Sequence, residues 1–246
     1  MSPREYFAVS REPRYSVLFA LPLLLLYEGL ALMVTGSAFH GVRNGADVML
    51  KTLFVTFGGR AGLAVFGALL LGGGAWIVWR DHRRRGGGRL DKRVFLGSLG
   101  ESLVYAAIFG QVVALLTAQL LYGPQLSVAL QAPMGGFPLG TQLVISLGAG
   151  IYEELLFRVL LVSGLLALGL RLGWRRPVTV VVAVVLSALI FSAFHYVGPY
   201  GDPLTLGSFT FRAIAGLLLS GLYVARGFGI TAWTHALYDV GLALVV

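Results

Sequence analysis

The sequence predicts an all-α protein that crosses a lipid bilayer about seven times. Of its 246 residues, 57% are hydrophobic and only 12% are charged, and the mean hydropathy is +0.82. A soluble fold of this length could not hide so much apolar surface. The apolar residues are also gathered into runs of roughly 20 or more, which is the length that spans a membrane as a helix. A soluble enzyme is therefore not expected.

The apolar runs follow one another along the chain with short polar segments between them. We place the membrane spans at residues 17–35, 61–79, 94–121, 139–170, 177–197, 208–225 and 229–246. Segment 45–57 mixes Asp47 and Lys51 with apolar residues and predicts an interfacial amphipathic helix. No internal repeat is visible, so one structural domain is the simplest organisation. Within it we expect 1–93 to form a peripheral two-helix region with a basic loop, and 94–246 to form the core bundle.

The net charge of +8 comes from basic residues in the segments between the spans. These segments, 4–14, 80–93, 171–176 and Arg226, all lie on one side if seven spans alternate. The positive-inside rule makes that side cytoplasmic, so we expect a cytoplasmic N-terminus. We expect an integral membrane protein, with the bacterial inner membrane as its location. The lipid bilayer is thus the expected partner, and nucleic acid is not. The chain has no cysteine, which excludes thiolate metal sites and a cysteine nucleophile.

Two glutamates and an arginine stand in the middle of the fourth span, as Glu153-Glu154-Leu-Leu-Phe-Arg158. Charged side chains in hydrocarbon are costly and usually mark a functional site. Glu154 and Arg158 have i, i+4 spacing, at which a carboxylate and a guanidinium on one helix face can meet. On a helix, Glu153 points about 100° away from Glu154 and so does not share its arginine partner. Glu153 is therefore the candidate general base. Glu28 and Glu101 have no histidine or arginine at helical spacing, and we interpret them as structural or lining residues.

Two histidines lie in the later apolar spans. His195 ends the motif Phe191-Ser-Ala-Phe-His195, and His235 precedes Asp239 by four residues. On one helix face, Asp239 could orient the imidazole of His235 or join it in holding an oxyanion or a metal. A single intramembrane histidine is more often a helix contact than a ligand. The combination of two histidines with the glutamate pair favours a functional site.

Together these motifs resemble those of the CAAX-prenyl endopeptidase and bacteriocin-processing (CPBP, or Abi) intramembrane proteases, which include the type II CAAX endopeptidase. The family pattern is Glu-Glu-x3-Arg, then Phe-x3-His, then a Phe/Gly-rich helix, then His-x3-Asn or Asp. The chain matches it in order with Glu153-Glu154…Arg158, Phe191…His195, residues 209–221 and His235…Asp239. The resemblance covers about residues 139–246, and the first hundred residues do not contribute to it.

The resemblance implies hydrolysis of a peptide bond in a peptide or protein substrate in or at the membrane. It also implies that Glu153 activates water together with His195. His235 and Asp239 would stabilise the tetrahedral oxyanion. Many relatives have Asn at the position of Asp239.

The resemblance further implies that Arg158 and Glu154 are a supporting pair, and it leaves the question of a metal open. Family members have been described both as metalloproteases and as metal-independent glutamate proteases. His195, His235 and Glu154 are the candidate ligands, since two histidines and a carboxylate would suit a catalytic zinc ion with an open position for water.

Functions of other classes also fit some of these residues. His195 and His235 could be the axial ligands of a haem, although a haem pocket does not call for two glutamates nearby. The same carboxylates and histidines could relay protons in an ion-coupled transporter. A non-catalytic membrane scaffold is a further alternative.

Overall fold

The computed structural model describes residues 1–35, 41–85, 89–122, 137–198 and 201–245. These residues are helical almost throughout and contain no strand, which confirms the all-α class. The α-helices are α1 (Pro3–Ser10), α2 (Pro13–Thr35), α3 (Gly45–Arg84), α4 (Lys92–Tyr122), α5 (Leu139–Gly148), α6 (Ser163–Arg171), α7 (Arg176–Phe194), α8 (Leu206–Arg226) and α9 (Phe228–Val245). Two π-helical segments, Ala149–Glu153 and Leu155–Val162, connect α5 to α6.

Among the described residues, five helices are long and apolar enough to cross a membrane. They are Pro13–Val34, Gly45–Arg84, Lys92–Leu121, Arg176–Phe194 and Leu206–Arg226. The described residues of the other two predicted spans, 139–170 and 229–246, are also helical. These spans contain polar and charged residues of the two sequence motifs, and the π-helical segments divide the first of them. Seven crossings therefore stay a prediction, with five supported by length and composition.

Helix α3 consists of two arms that meet at Gly59. This residue has a φ of 54°, which glycine adopts readily and other residues rarely do. The rings of Phe54 and Phe66 lie 5.3 Å apart, whereas the twelve intervening steps of a straight helix would cover about 18 Å. The first arm, 45–58, therefore folds against the second arm, 60–84.

The first arm coincides with the segment predicted to be an interfacial helix, but its polar side faces the protein. Asp47 is completely buried and forms ion pairs of 3.0 Å with Arg43 and 2.8 Å with Lys51. Val48, Leu53 and Phe57 are exposed instead. Partners inside the bundle therefore neutralise the charge of Asp47. The interfacial position of this arm stays a prediction.

Helix α9 lies at the centre of the bundle, where it packs against α2, α4, α5, α8 and the first π-helical segment. One hydrophobic core joins Leu23 and Tyr27 of α2 with Ala46 and Phe66 of α3, and with Ile151, Tyr152, Ala232 and Ala236. Residues from segment 1–93 are therefore part of this core. The division into a region of 1–93 and a core bundle of 94–246 stays a prediction.

The first π-helical segment approaches α9 most closely at Gly150. A Cβ atom at this position would lie 2.5 Å from the carbonyl oxygen of Ala232 and 2.5 Å from Cβ of Ala236. Small residues allow this kind of close contact between membrane helices. The contact brings the two glutamates that follow Gly150 next to the polar residues of α9.

We expect Gly150→Ala to lower the thermal unfolding temperature in detergent, because the backbone of α9 cannot move away from the new methyl group. Overpacking of this kind typically costs about 1–3 kcal/mol. Gly164→Ala is the matched control, since Gly164 is helical and exposed and its Cβ would meet nothing within 4 Å. The control should leave the unfolding temperature unchanged or slightly higher. Equal losses in the two variants would contradict the close approach.

Candidate active site

The six side chains singled out in the sequence come together where the π-helical segments, the end of α7 and α9 meet. Glu153 ends the first π-helical segment, Glu154 follows it, and Arg158 lies in the second. His195 is the residue directly after α7, and His235 and Asp239 lie on α9. π-Helical turns widen the backbone locally and are frequent at functional sites.

Glu153 is buried, and its two carboxylate oxygens have different surroundings. Oε1 accepts a hydrogen bond of 2.8 Å from Nδ2 of Asn44. Oε2 lies 4.0 Å from Nε2 of His195, which is too long for a direct hydrogen bond. Oε2 has no hydrogen-bond partner among the described residues. One oxygen is thus held in place while the other remains able to accept a proton.

The backbone at the end of α7 determines which nitrogen of His195 carries the proton. Nδ1 lies 2.9 Å from the carbonyl oxygen of Phe191, and a carbonyl oxygen can only accept, so Nδ1–H is the donor. Nε2 of the neutral ring then presents a lone pair toward Glu153. The side chain of His195 is 24% exposed, so part of the residue is open to the outside of the bundle.

Glu154 is fully buried and contacts two cationic or potentially cationic groups. Its Oε1 lies 2.7 Å from Nδ1 of His235, and its Oε2 lies 3.1 Å from Nε of Arg158. The second contact is an ion pair whose angle does not meet hydrogen-bond geometry. On the other side of the ring, Nε2 of His235 lies 3.5 Å from Oδ2 of Asp239. Both i, i+4 pairs expected from the sequence are therefore in contact.

The ring of Phe191 contacts both histidines and the arginine of the site. It packs edge-on against His195 and His235, with ring centroids 4.8 Å and 6.2 Å away. Cζ of Arg158 lies 4.5 Å from its centroid, and a cation over an aromatic face is stabilised electrostatically. This contact matters because none of the three guanidinium nitrogens has a hydrogen-bond acceptor among the described residues.

The residues considered as zinc ligands do not converge in this arrangement. Nδ1 of His235 and Glu154 bind each other, while His195 directs Nδ1 to a backbone carbonyl and Nε2 to Glu153. Within the described part of the chain, no group of three or more His, Cys, Asp or Glu residues could hold a metal ion. The donor set as arranged does not fit a tetrahedral zinc centre, which needs three protein ligands and an open position.

Sequence reasoning missed Asn44, the hydrogen-bond donor to Glu153. An asparagine directly before a helix is a common N-cap, so the sequence could have indicated the cap but not its distant partner. Near Asn44 lies a partly buried network of ion pairs and hydrogen bonds. It consists of Tyr27, Glu28, Arg43, Asp47, Lys51 and Tyr152. Glu28 therefore has an arginine partner, but that partner is 15 residues away in the chain.

The fold and the site define a helical membrane protein with a buried glutamate–histidine centre. A family model described as Type II CAAX prenyl endopeptidase Rce1-like matches residues 135–241. This part of the chain holds all six candidate residues, and the matching model belongs to the CPBP family, which the motifs predicted. The match supports a protease. Comparisons with curated proteins and with solved structures gave no match.

We expect Arg158→Leu to destabilise the protein strongly, because it leaves the fully buried Glu154 without its guanidinium. Breaking a buried pair by removing one partner costs about 3–5 kcal/mol. The double variant Glu154→Gln/Arg158→Leu should recover part of this loss in thermal unfolding, since it removes both charges. If the double variant unfolds no higher than the less stable single variant, the two residues are not partners.

Proposed function

We propose that the protein is an intramembrane endopeptidase in which Glu153 is the general base. The observation that carries this proposal is the 4.0 Å separation of Glu153 Oε2 and His195 Nε2. Both atoms are hydrogen-bond acceptors, and a water molecule about 2.8 Å from each can donate one proton to each. The family match supports the reaction class, and it also supports a membrane-associated protein or peptide as the substrate.

In the proposed reaction the water oxygen attacks the carbonyl carbon of the substrate while Glu153 takes one of the water protons. The π-electron pair of the carbonyl group moves to its oxygen. His195 accepts the second hydrogen bond of the water and thereby orients the attacking lone pair. The carbonyl bond then re-forms as the C–N bond breaks. The leaving nitrogen takes the proton from Glu153, so water is added across the peptide bond and the carboxylate is restored.

His235 is the proposed donor to the tetrahedral oxyanion. Its Nδ1 faces Glu154 at 2.7 Å and its Nε2 faces Asp239 at 3.5 Å. Because both carboxylates are acceptors, this environment favours a proton on each nitrogen. The longer contact leaves the Nε2 proton free to be shared with a substrate oxygen. A donor that is already in position before charge develops is what lowers the barrier in oxyanion stabilisation. In this proposal Arg158 keeps Glu154 aligned with His235.

We further propose that the N-terminus is cytoplasmic. Arg14 lies 3.7 Å from Asp81, and Arg85 lies 3.0 Å from Glu12. Arg226 donates to Ser10 over 2.7 Å. These contacts support one basic end that contains the start of α2, the end of α3 and the end of α8. The positive-inside rule would place that end in the cytoplasm.

We expect Glu153→Gln, His195→Ala and His235→Ala each to abolish cleavage while the proteins still insert and purify normally. Membranes that contain the wild type should yield new peptide termini, detectable by mass spectrometry, that are missing from membranes with Glu153→Gln. Double variants should be no worse than single ones, since members of one catalytic unit are not additive.

The matched control is Glu101→Gln, which changes another poorly exposed glutamate of a predicted span. Glu101 pairs with Arg226 over 2.6 Å and makes no contact with the site residues. This variant should lose thermal stability but keep cleaving. Cleavage retained by Glu153→Gln would contradict the mechanism, and a bis-histidine haem spectrum of the pure protein would replace it with a redox function.

We expect the reaction to be independent of a metal, because the donor groups do not form a three-ligand site. The purified protein should contain zinc well below one equivalent, and cleavage should continue after dialysis against a chelator. Elemental analysis and the cleavage assay on the same preparation check this. Loss of activity with the chelator, restored by added zinc, would support the metalloprotease alternative.

A further inference from the structure

Asn44 uses both ends of its side-chain amide. Its Oδ1 accepts a hydrogen bond of 2.9 Å from the backbone N–H of Ala46 and so caps α3. Its Nδ2 donates over 2.8 Å to Oε1 of Glu153. Because only the carbonyl end can accept from a backbone N–H, the cap determines which end of the amide faces the glutamate. Asn44 is 3% exposed, so water does not compete for either bond.

The backbone around Asn44 is held by contacts with two other helices. Its own N–H donates to the hydroxyl of Tyr27 over 3.4 Å, and that hydroxyl donates to Asp47 over 2.7 Å. Helix α5 passes close by at Gly148, where an added Cβ would lie 2.5 Å from Cβ of Asn44 and 2.7 Å from Cε2 of Tyr27. Asn44 therefore has little freedom to move relative to the segment that carries Glu153.

We propose that Asn44 is a positioning residue for the general base, supplied by a part of the chain that precedes the family match at residues 135–241. The inference rests on the proposed function of Glu153. By holding Oε1, Asn44 prevents rotation of the carboxylate and keeps Oε2 directed at the space beside Nε2 of His195.

Substitutions that separate the two bonds of Asn44 test this inference. Asn44→Ser and Asn44→Asp both keep an N-cap acceptor, since Ser and Asp cap about as well as Asn. Serine is too short to reach Glu153, and aspartate replaces the donor with an acceptor beside the carboxylate. Asn44→Ala removes both bonds. A role in capping alone predicts that only the alanine variant is impaired.

The positioning role predicts a different order of activities. With a fluorescence-quenched prenylated peptide that ends in a CAAX sequence, kcat of Asn44→Ser should fall roughly 10- to 100-fold, the loss that a small misplacement of a catalytic group causes. KM should stay close to the wild-type value, and Asn44→Asp should be slower still. Ser2→Ala is the control, because it removes the N-cap of α1 without touching the site and should leave kcat unchanged.

The outcomes distinguish this inference from the proposed function. If the wild type cleaves and Glu153→Gln does not, but Asn44→Ser and Asn44→Asp keep the wild-type kcat, Asn44 has no positioning role while the function stands. If the wild type does not cleave the peptide, thermal unfolding decides instead. The double variant Asn44→Ser/Glu153→Ala should then lose less in unfolding temperature than the two single losses combined. Additive losses would overturn the contact on which the inference depends.

Discussion

The pairing of the buried carboxylate of Glu154 is the interaction on which the site depends. Glu154 is completely buried in a helix bundle with an apolar exterior, and so is Arg158. A lone charge in such surroundings would cost several kcal/mol. Glu154 avoids this cost by contacting Arg158 within its own helical segment and His235 on α9. The same pairing therefore neutralises the charges, joins two helices and sets the orientation of the imidazole.

The two adjacent glutamates differ in how completely their oxygens are satisfied. Both oxygens of Glu154 face a positively charged or proton-donating group, whereas Glu153 has a donor on Oε1 only. Adjacent residues of a helix point about 100° apart, so the two side chains are directed toward different partners. A fully paired carboxylate thus stands next to an incompletely paired one, and the proposed mechanism assigns them a supporting and a reactive role.

Much of the fold class and of the site followed from local patterns in the sequence. The apolar runs determined an all-α membrane protein, because a helix satisfies its own backbone hydrogen bonds in lipid. The contacts Glu154–Arg158 and His235–Asp239 were predictable because i, i+4 residues share a helix face whatever surrounds it. The order of the motifs indicated the same family as the model that matches residues 135–241. The count of seven spans was less secure, because the site residues reduce the apolar character of two helices.

The sequence by itself thus determined the helical membrane class, the motif residues and their contacts within one helix. Only the tertiary structure decided which helices meet. It showed that Asn44 bonds to Glu153 across 109 residues, that Phe191 packs against both histidines, and that the arm 45–58 turns its charges inward. Contacts of this kind leave no periodic signal, because they arise from the packing of segments that are remote in sequence. The burial of Asp47 had the same origin, since its partners become visible only when α2 and α3 are brought together.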